Sequence, residues 1–398
     1  MKPRVAFYSH DAQGLGHMRR NLALASRVVE NGRRSALLIT GAREAGALPM
    51  PDGVECLTLP GMRKTVDGTY GSRSLDLSLP SLLRLRAETI CAVLEVFEPD
   101  VFVVDKHPLG FGGELEAALG LLRARGGTRI VLGLREVLDE PEVVHEEWAA
   151  AGTEAAMASL YDRVWVYGDP SVYDPVAEYG LAPEVAAKVR YTGYLCPDVA
   201  PASGNGDDPL AELHLPASRL ALCLVGGGQD GEALAEAFVQ APVPRDTVAV
   251  AVAGPFMPSR TRGRLHAAAA GRPELRVLDF VRRPQRLLWR ADRIVAMGGY
   301  NTICELLAAD RPGLIVPRER PRREQLLRAE RLAGLGVLDL LRADDVSPAA
   351  IAAWLAADRR ERVCAADVID LDGLRRVPEL IAEAMVRARE PEVRPSVA

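Results

Sequence analysis

Short apolar runs rich in Val, Ile, Leu and aromatic residues alternate along the chain with longer stretches in which apolar residues recur every three or four positions. The short runs predict strands and the longer stretches predict amphipathic helices. In the first half, strands are expected at residues 4–9 (RVAFYS), 35–40 (SALLIT), 54–59, 101–104 (VFVV), 129–134 and 163–167, with helices such as 18–31 and 79–97 between them. The second half repeats the scheme, with strands at 219–225 (RLALCLV), 247–253, 275–278, 293–297 and 313–316 and a helix at 232–240. Regular alternation of this kind builds parallel sheets covered by helices on both faces. The fold class is therefore α/β, with two Rossmann-like domains in series.

The stretch 197–218, PDVAPASGNGDDPLAELHLPAS, concentrates Pro, Gly, Asn, Asp and Ser between the two series. It is expected to link a first domain of residues 1–196 to a second of residues 219–375. Residues 376–398 read as an amphipathic helix and tail that pack back toward the first domain. A chain of 398 residues is long enough for two cores. Its 49 Lys+Arg against 54 Asp+Glu give a net charge of −5, which offers no general field for nucleic acid. The six cysteines are scattered without metal-ligand spacing, so they read as free thiols in a reducing compartment and no metal site is expected. The N-terminal residues lack a signal peptide's long apolar stretch, and no run reaches the ~18 apolar residues of a membrane span. A cytoplasmic protein is expected.

Candidate chemistry sits where predicted strands end. After the first strand comes Ser9-His10-Asp11-Ala12-Gln13-Gly14-Leu15-Gly16-His17, opening a helix. Gly14 and Gly16 let the backbone turn tightly beside a ligand, and the amides at a helix start favour negative charge. His17, at the sheet edge where ligands of such folds bind, is either a general base or a helix-end histidine. The strand 101–104 runs into Asp105, which either orients His17 or caps its own turn, and His107 is a second candidate for the base. Arg135, Glu136 and Asp139 follow the next strand and can line the same cleft. In the second half, Gly226-Gly227-Gly228-Gln229 lies between a strand and a helix, a pattern better explained by a phosphate cradle of backbone amides than by a plain turn. A further strand ends in Gly298-Gly299-Tyr300-Asn301-Thr302, with Glu305 in the first turns of the following helix. There its carboxylate can accept two hydrogen bonds from a ribose diol, or serve only as a helix-dipole partner. The run 317–325 (PRERPRREQ) is locally basic and reads either as a phosphate-facing edge or as a solvated face.

The segment ADRIVAMGGYNTICELLAADRPGLIVP with REQLLRAERLAGLG, together with the glycine loop ending in His17 and VFVVD ending in Asp105, resembles the GT-B glycosyltransferases. The resemblance is to their family-28-like branch, which includes the lipid II N-acetylglucosaminyltransferase, the galactolipid synthases and, more distantly, the UDP-glucuronosyltransferases. It implies two Rossmann-like domains facing each other across a cleft. It also implies that Gly226, Gly227, Gly228 and Gln229 face the diphosphate. Gly299, Asn301 and Thr302 would line the nucleotide-sugar site, Glu305 would hold the ribose, and Glu324 and Gln325 would touch the donor sugar. Gly14, Gly16 and Arg135 would lie on the acceptor side, with His17 as base and Asp105 behind it.

The expected activity is inverting, metal-independent transfer of a sugar from a nucleotide-diphosphate donor, a UDP-sugar such as UDP-N-acetylglucosamine, to a small-molecule, natural-product or lipid-linked acceptor. The donor is a substrate, so no cofactor is implied. The alternatives are a nucleotide-sugar epimerase or hydrolase on the same fold and a non-catalytic nucleotide-sugar-binding protein. Peripheral contact with the inner face of the membrane is compatible with a lipid-linked acceptor. Residues 61–80 are expected to form a long polar loop over the acceptor site.

Overall fold

A computed structural model describes the whole chain except residues 1, 11–14, 65–69, 199–208, 217, 282–283, 359–361 and 389–398. In the first half lie β1 (Arg4–Ser9), β2 (Ser35–Thr40), β3 (Val54–Thr58), β4 (Met62–Lys64), β5 (Tyr70–Ser72), β6 (Val101–Asp105), β7 (Arg129–Arg135), β8 (Arg163–Tyr167) and β9 (Val189–Tyr191). Among the described residues they form a parallel sheet of order β3-β2-β1-β6-β7-β8-β9 and a separate antiparallel hairpin, β4-β5. The second half contributes β10 (Arg219–Leu224), β11 (Thr247–Val252), β12 (Leu275–Leu278), β13 (Arg293–Ala296), β14 (Gly313–Ile315) and β15 (Asp339–Leu340), in the parallel order β12-β11-β10-β13-β14-β15. The central strands are buried on both faces, as continuous apolar runs such as Val101–Val104 require.

The helices that bear on the site are α1 (Gly16–Val29), α2 (Leu79–Phe97), α3 (Tyr300–Ala309), α4 (Glu324–Gly334) and α5 (Gly373–Ala388). Helix α1 buries Met18, Asn21, Leu24, Ala25 and Val28, a stripe at three- and four-residue spacing that faces the sheet. Its first turn holds Gly16 and His17, two residues before the expected start. Helix α2 begins where Ser78 accepts a hydrogen bond from Ser81 N and Pro80 occupies the first turn. Helix α5 packs against α1 and the edges of β6 and β7, and Tyr194 N donates to Asp370 O (2.8 Å) just before it.

Two sequence expectations change. Residues 61–80 are not simply a loop: β4 and β5 pair Met62 with Ser72 and Lys64 with Tyr70, runs too short and glycine-rich to register as alternating strands. Buried Met62 packs with Leu82 of α2 and seats the hairpin on the first domain; the hairpin's tip at 65–69 lies outside the described residues. Within 197–218, Pro209–Glu212 form a helical turn that buries Leu210, while 199–208 and 217 lie outside the described residues.

Candidate active site

In both sheets the strand order reverses beside the first strand of the domain, between β1 and β6 and again between β10 and β13. The loops leaving those strands diverge, opening a crevice at the carboxyl edge where ligands of doubly wound sheets bind. The crevices face each other and form one cleft enclosing about 480 Å³. The sequence-predicted residues Gly16, His17, Arg135, Gly226, Gly227, Gln229, Gly299, Asn301, Thr302, Glu305, Glu324 and Gln325 all line it.

On the first-domain wall, the β1–β6 register brings the end of β6 beside the start of α1. His17 Nδ1 lies 2.7 Å from Asp105 Oδ2, and Asp105 is fully buried. An ionised carboxylate only accepts, so Nδ1 donates, and Nε2 sits on the opposite edge of the ring. Arg20, one helical turn after His17, donates to Asp105 Oδ1 (2.7 Å) and Oδ2 (2.6 Å) and lies 2.9 Å from His17 Nδ1. Burial alone would raise the Asp105 carboxyl. The charges of Arg20 and His17 and their hydrogen bonds outweigh it and hold the group well below the usual carboxylate range. Arg20 is itself held 5.6 Å above the ring centroids of Tyr167 and Tyr300, one from each domain.

Lys106 follows Asp105 in the left-handed region, at φ +70°, fixed by Lys106 N donating to Gly133 O (2.8 Å). It lines the cleft; burial and the nearby Arg135 and Arg322 push its amine down to about 7, against the pull of Glu147 and Glu324. Burial likewise lowers Arg135 to about 10. His107 stacks edge-to-face on His10, with ring centroids 4.7 Å apart, and does not line the cleft. Burial and the Lys106 charge lower it to about 3. Gly14 lies outside the described residues.

The second-domain wall joins glycine edges to polar side chains. Gly226 and Gly227 border the cleft, but Gly228 does not, which corrects the expectation that all three glycines face a phosphate. Gly228 has φ +90°, and a Cβ there would sit 2.4 Å from Ala253 O; Gly254, at φ +85°, likewise abuts Gly226 O and the Gly227 backbone. Gly228 and Gly254 let two βα loops pass in contact, and Gly226 and Gly227 form the exposed edge. Gly299 precedes the first turn of α3, whose Asn301 and Thr302 face the cleft. Asn301 also crosses to the first domain, its Nδ2 donating to Gly16 O (3.0 Å). Glu305 accepts from Gln285 Nε2 (2.8 Å), and burial pushes its carboxyl up to about 7, against the pull of Arg19 and that hydrogen bond. Glu324 Oε1 accepts from Arg318 (2.6 Å) while its Oε2 is shielded from solvent with no partner, and Gln325 Oε1 accepts from Arg318 N (3.1 Å).

The basic run 317–325 is neither a solvated face nor a uniform phosphate edge. Arg318 turns to Asp230 (3.1 Å) and Glu324, whereas Arg322 and Arg323 reach the first domain's Asp139, Glu140 and Glu147. Below them, Arg328 of α4 grips Glu136 through Nε (2.5 Å) and a second nitrogen (3.2 Å), and Tyr194 donates to the same carboxylate (2.9 Å). Both Arg328 and Glu136 are fully buried, so this pair joins the two domains away from solvent. Sequence reasoning missed Arg20, Gly254 and Arg328. Arg20 carried a signal, since a residue three positions after His17 shares its helix face.

Residues 222–365 match the glycosyltransferase family 28 C-terminal domain. The UDP-N-acetylglucosamine--N-acetylmuramyl-(pentapeptide) pyrophosphoryl-undecaprenol N-acetylglucosamine transferase of Sphingopyxis alaskensis is 29% identical over 314 residues, covering 76% of this chain and 69% of its own. The enzyme of the same name from Burkholderia thailandensis is 26% identical over 360 residues, covering 88% of this chain and 87% of its own. The crystal structure of Acinetobacter baumannii MurG superposes with a TM-score of 0.55 at 16% identity over 96% of this chain and 99% of that one, a likeness of fold.

Proposed function

We propose that this chain, a GT-B glycosyltransferase of the family-28 type, transfers a sugar with inversion and without a metal from a UDP-sugar, such as UDP-N-acetylglucosamine, to a hydroxyl or amine of a small-molecule or lipid-linked acceptor. The observation that carries the reading is the division of the cleft. A glycine-edged, helix-terminated wall with a buried carboxylate faces a His–Asp pair across a cavity of about 480 Å³.

The donor lies on the second domain. The ribose diol donates to Glu305, and the diphosphate rests on the amides around Gly226, Gly227 and the α3 N-terminus, where the helix dipole favours negative charge. Glu324 and Gln325 take the sugar hydroxyls, and the unpartnered Glu324 Oε2 supports that role, since a shielded acceptor atom is satisfied when a ligand donor arrives. As the acceptor oxygen or nitrogen attacks the anomeric carbon, His17 Nε2 takes its proton. The bond from that carbon to the diphosphate oxygen breaks, and the leaving group departs with the electron pair. Asp105 keeps His17 in the productive tautomer. Because Arg20 already neutralises Asp105, the carboxylate's part is chiefly orientation. The positive helix end and the amides of the glycine edge supply the stabilisation of the leaving group that a metal would otherwise give.

Leu75 and Leu77, between β5 and α2, and Leu85 on α2 are exposed large apolar side chains and support an acceptor with an apolar portion. Among the described residues no helix is long and apolar enough to cross a membrane. A calorimetric panel of UDP-, dTDP- and GDP-sugars and free nucleotides tests the donor. Binding of UDP species that is lost in Glu305→Ala is expected, and a folded protein that binds none of them contradicts the reading.

A further inference from the structure

Most of the charged groups around the cleft are paired, but two cations that line it are not. Arg20 is paired with Asp105, Arg318 with Asp230 and Glu324, Arg322 with Asp139 and Glu147, and Arg328 with Glu136. Lys106 and Arg135 line the same cavity, yet neither makes a side-chain hydrogen bond or ion pair with any described residue, and Arg135 Nε is shielded from solvent without a partner. The two belong to adjacent strand ends, since β6 pairs with β7 in a register that sets Asp105 opposite Gly133. Lys106 is moreover held in a left-handed backbone conformation that a lysine rarely adopts. Strain of this kind persists where the surroundings impose it, and it gathers at ligand sites.

We propose that Lys106 and Arg135 form an anion subsite on the first-domain wall, opposite Glu324, that takes a carboxylate or phosphate carried by a substrate beside the reacting carbon. The inference rests on the reading of the cleft as a site for donor and acceptor. Two neighbouring half-buried cations repel each other, and sugar hydroxyls would accept their hydrogen bonds without neutralising them. An anion satisfies both the donors and the charge. Burial is the first cause of the lowered ionisation of both side chains, as expected of cations without an ion-pair partner. Both groups also feel the field of Glu324, which stands at the proposed sugar position, so a carboxylate on the transferred sugar is the first source to test and an acidic group on the acceptor the second.

The experiment is calorimetry on the full chain and on its Lys106→Gln, Arg135→Gln and Arg135→Lys variants, with melting curves to confirm folding. UDP-glucuronate and UDP-glucose probe the first source, and inorganic phosphate titrated with and without saturating UDP probes the second. The subsite predicts that one of the two acidic probes binds the natural chain, UDP-glucuronate about tenfold more tightly than UDP-glucose or phosphate alongside bound UDP. Both Gln variants should erase the effect, and Arg135→Lys should keep most of it. Three results overturn the proposal: no preference and no phosphate binding, binding that survives both Gln substitutions, or phosphate binding that UDP abolishes, which would assign the two cations to the donor's own diphosphate. Failure of UDP itself to bind would instead count against the donor reading, and phosphate titrated into the nucleotide-free protein would still test the subsite.

Discussion

The two walls of the cleft are built from different material. The second-domain wall presents glycine edges, the N-terminus of α3 and the carboxylates of Glu305 and Glu324, whereas the first-domain wall presents His17, Asp105, Arg20, Lys106 and Arg135 from three separate strand ends. Main-chain amides suit a diphosphate, whose charge is fixed and whose position scarcely changes during reaction. Ionisable side chains suit the end of the reaction at which a proton moves. The contrast predicts that the proposed donor recognition and proton transfer are separable, and substitutions on each side should separate them.

The largest expected effect is on turnover. Replacing His17 by Ala should lower it by about 10²–10⁴-fold, the usual contribution of a positioned acid–base group, measured as UDP release with an acceptor that supports turnover. The next breaks the joint between the walls. Glu136→Ala strands Arg328 in the interior, and loss of one partner from a buried pair should destabilise the protein by about 3–5 kcal/mol, read from the denaturant midpoint. Smaller still is a contrast between two glycines. Gly228→Ala places a methyl against Ala253 O at φ +90° and should destabilise by about 1–3 kcal/mol. Gly226→Ala, at φ +61° with open space around it, should destabilise less and weaken UDP binding more.

That same contrast shows what the sequence made legible. Parallel sheets, the domain order and the glycine-rich wall of the second domain follow from local patterns, because a glycine run between a strand and a helix is its own signal. Even so, the run did not reveal that Gly228 serves packing and not contact; that depends on Ala253 and Met257, which follow β11 and meet it only through the β10–β11 pairing. His17 and Asp105 were each recognisable at a strand end. The arginine that grips Asp105 from the same helix face was passed over, as was the left-handed backbone of Lys106. The role of 317–325 was also hidden, since its partners Asp139, Glu140 and Glu147 lie about 180 residues away in the chain, at separations only the fold closes.

The mildest expected effect is one of pH. The Glu305 carboxyl holds its proton up to about 7 in the empty cleft. A ribose diol donates to the ionised form, so UDP binding should release a proton. Affinity should climb as pH rises from 6 to 8, by at most about tenfold per unit below the ionisation point. In Glu305→Gln that part of the pH dependence should vanish, and calorimetry in buffers of different ionisation enthalpy would report the released proton.

The most direct test of the division between the walls is the affinity for UDP measured side by side in the natural chain, His17→Ala and Glu305→Ala. If donor binding belongs to the second domain and proton transfer to the first, His17→Ala binds UDP within about twofold of the natural chain, while Glu305→Ala loses about tenfold or more, the worth of a charge-assisted pair of hydrogen bonds. Loss of UDP binding in His17→Ala, or its retention in Glu305→Ala, would contradict the account.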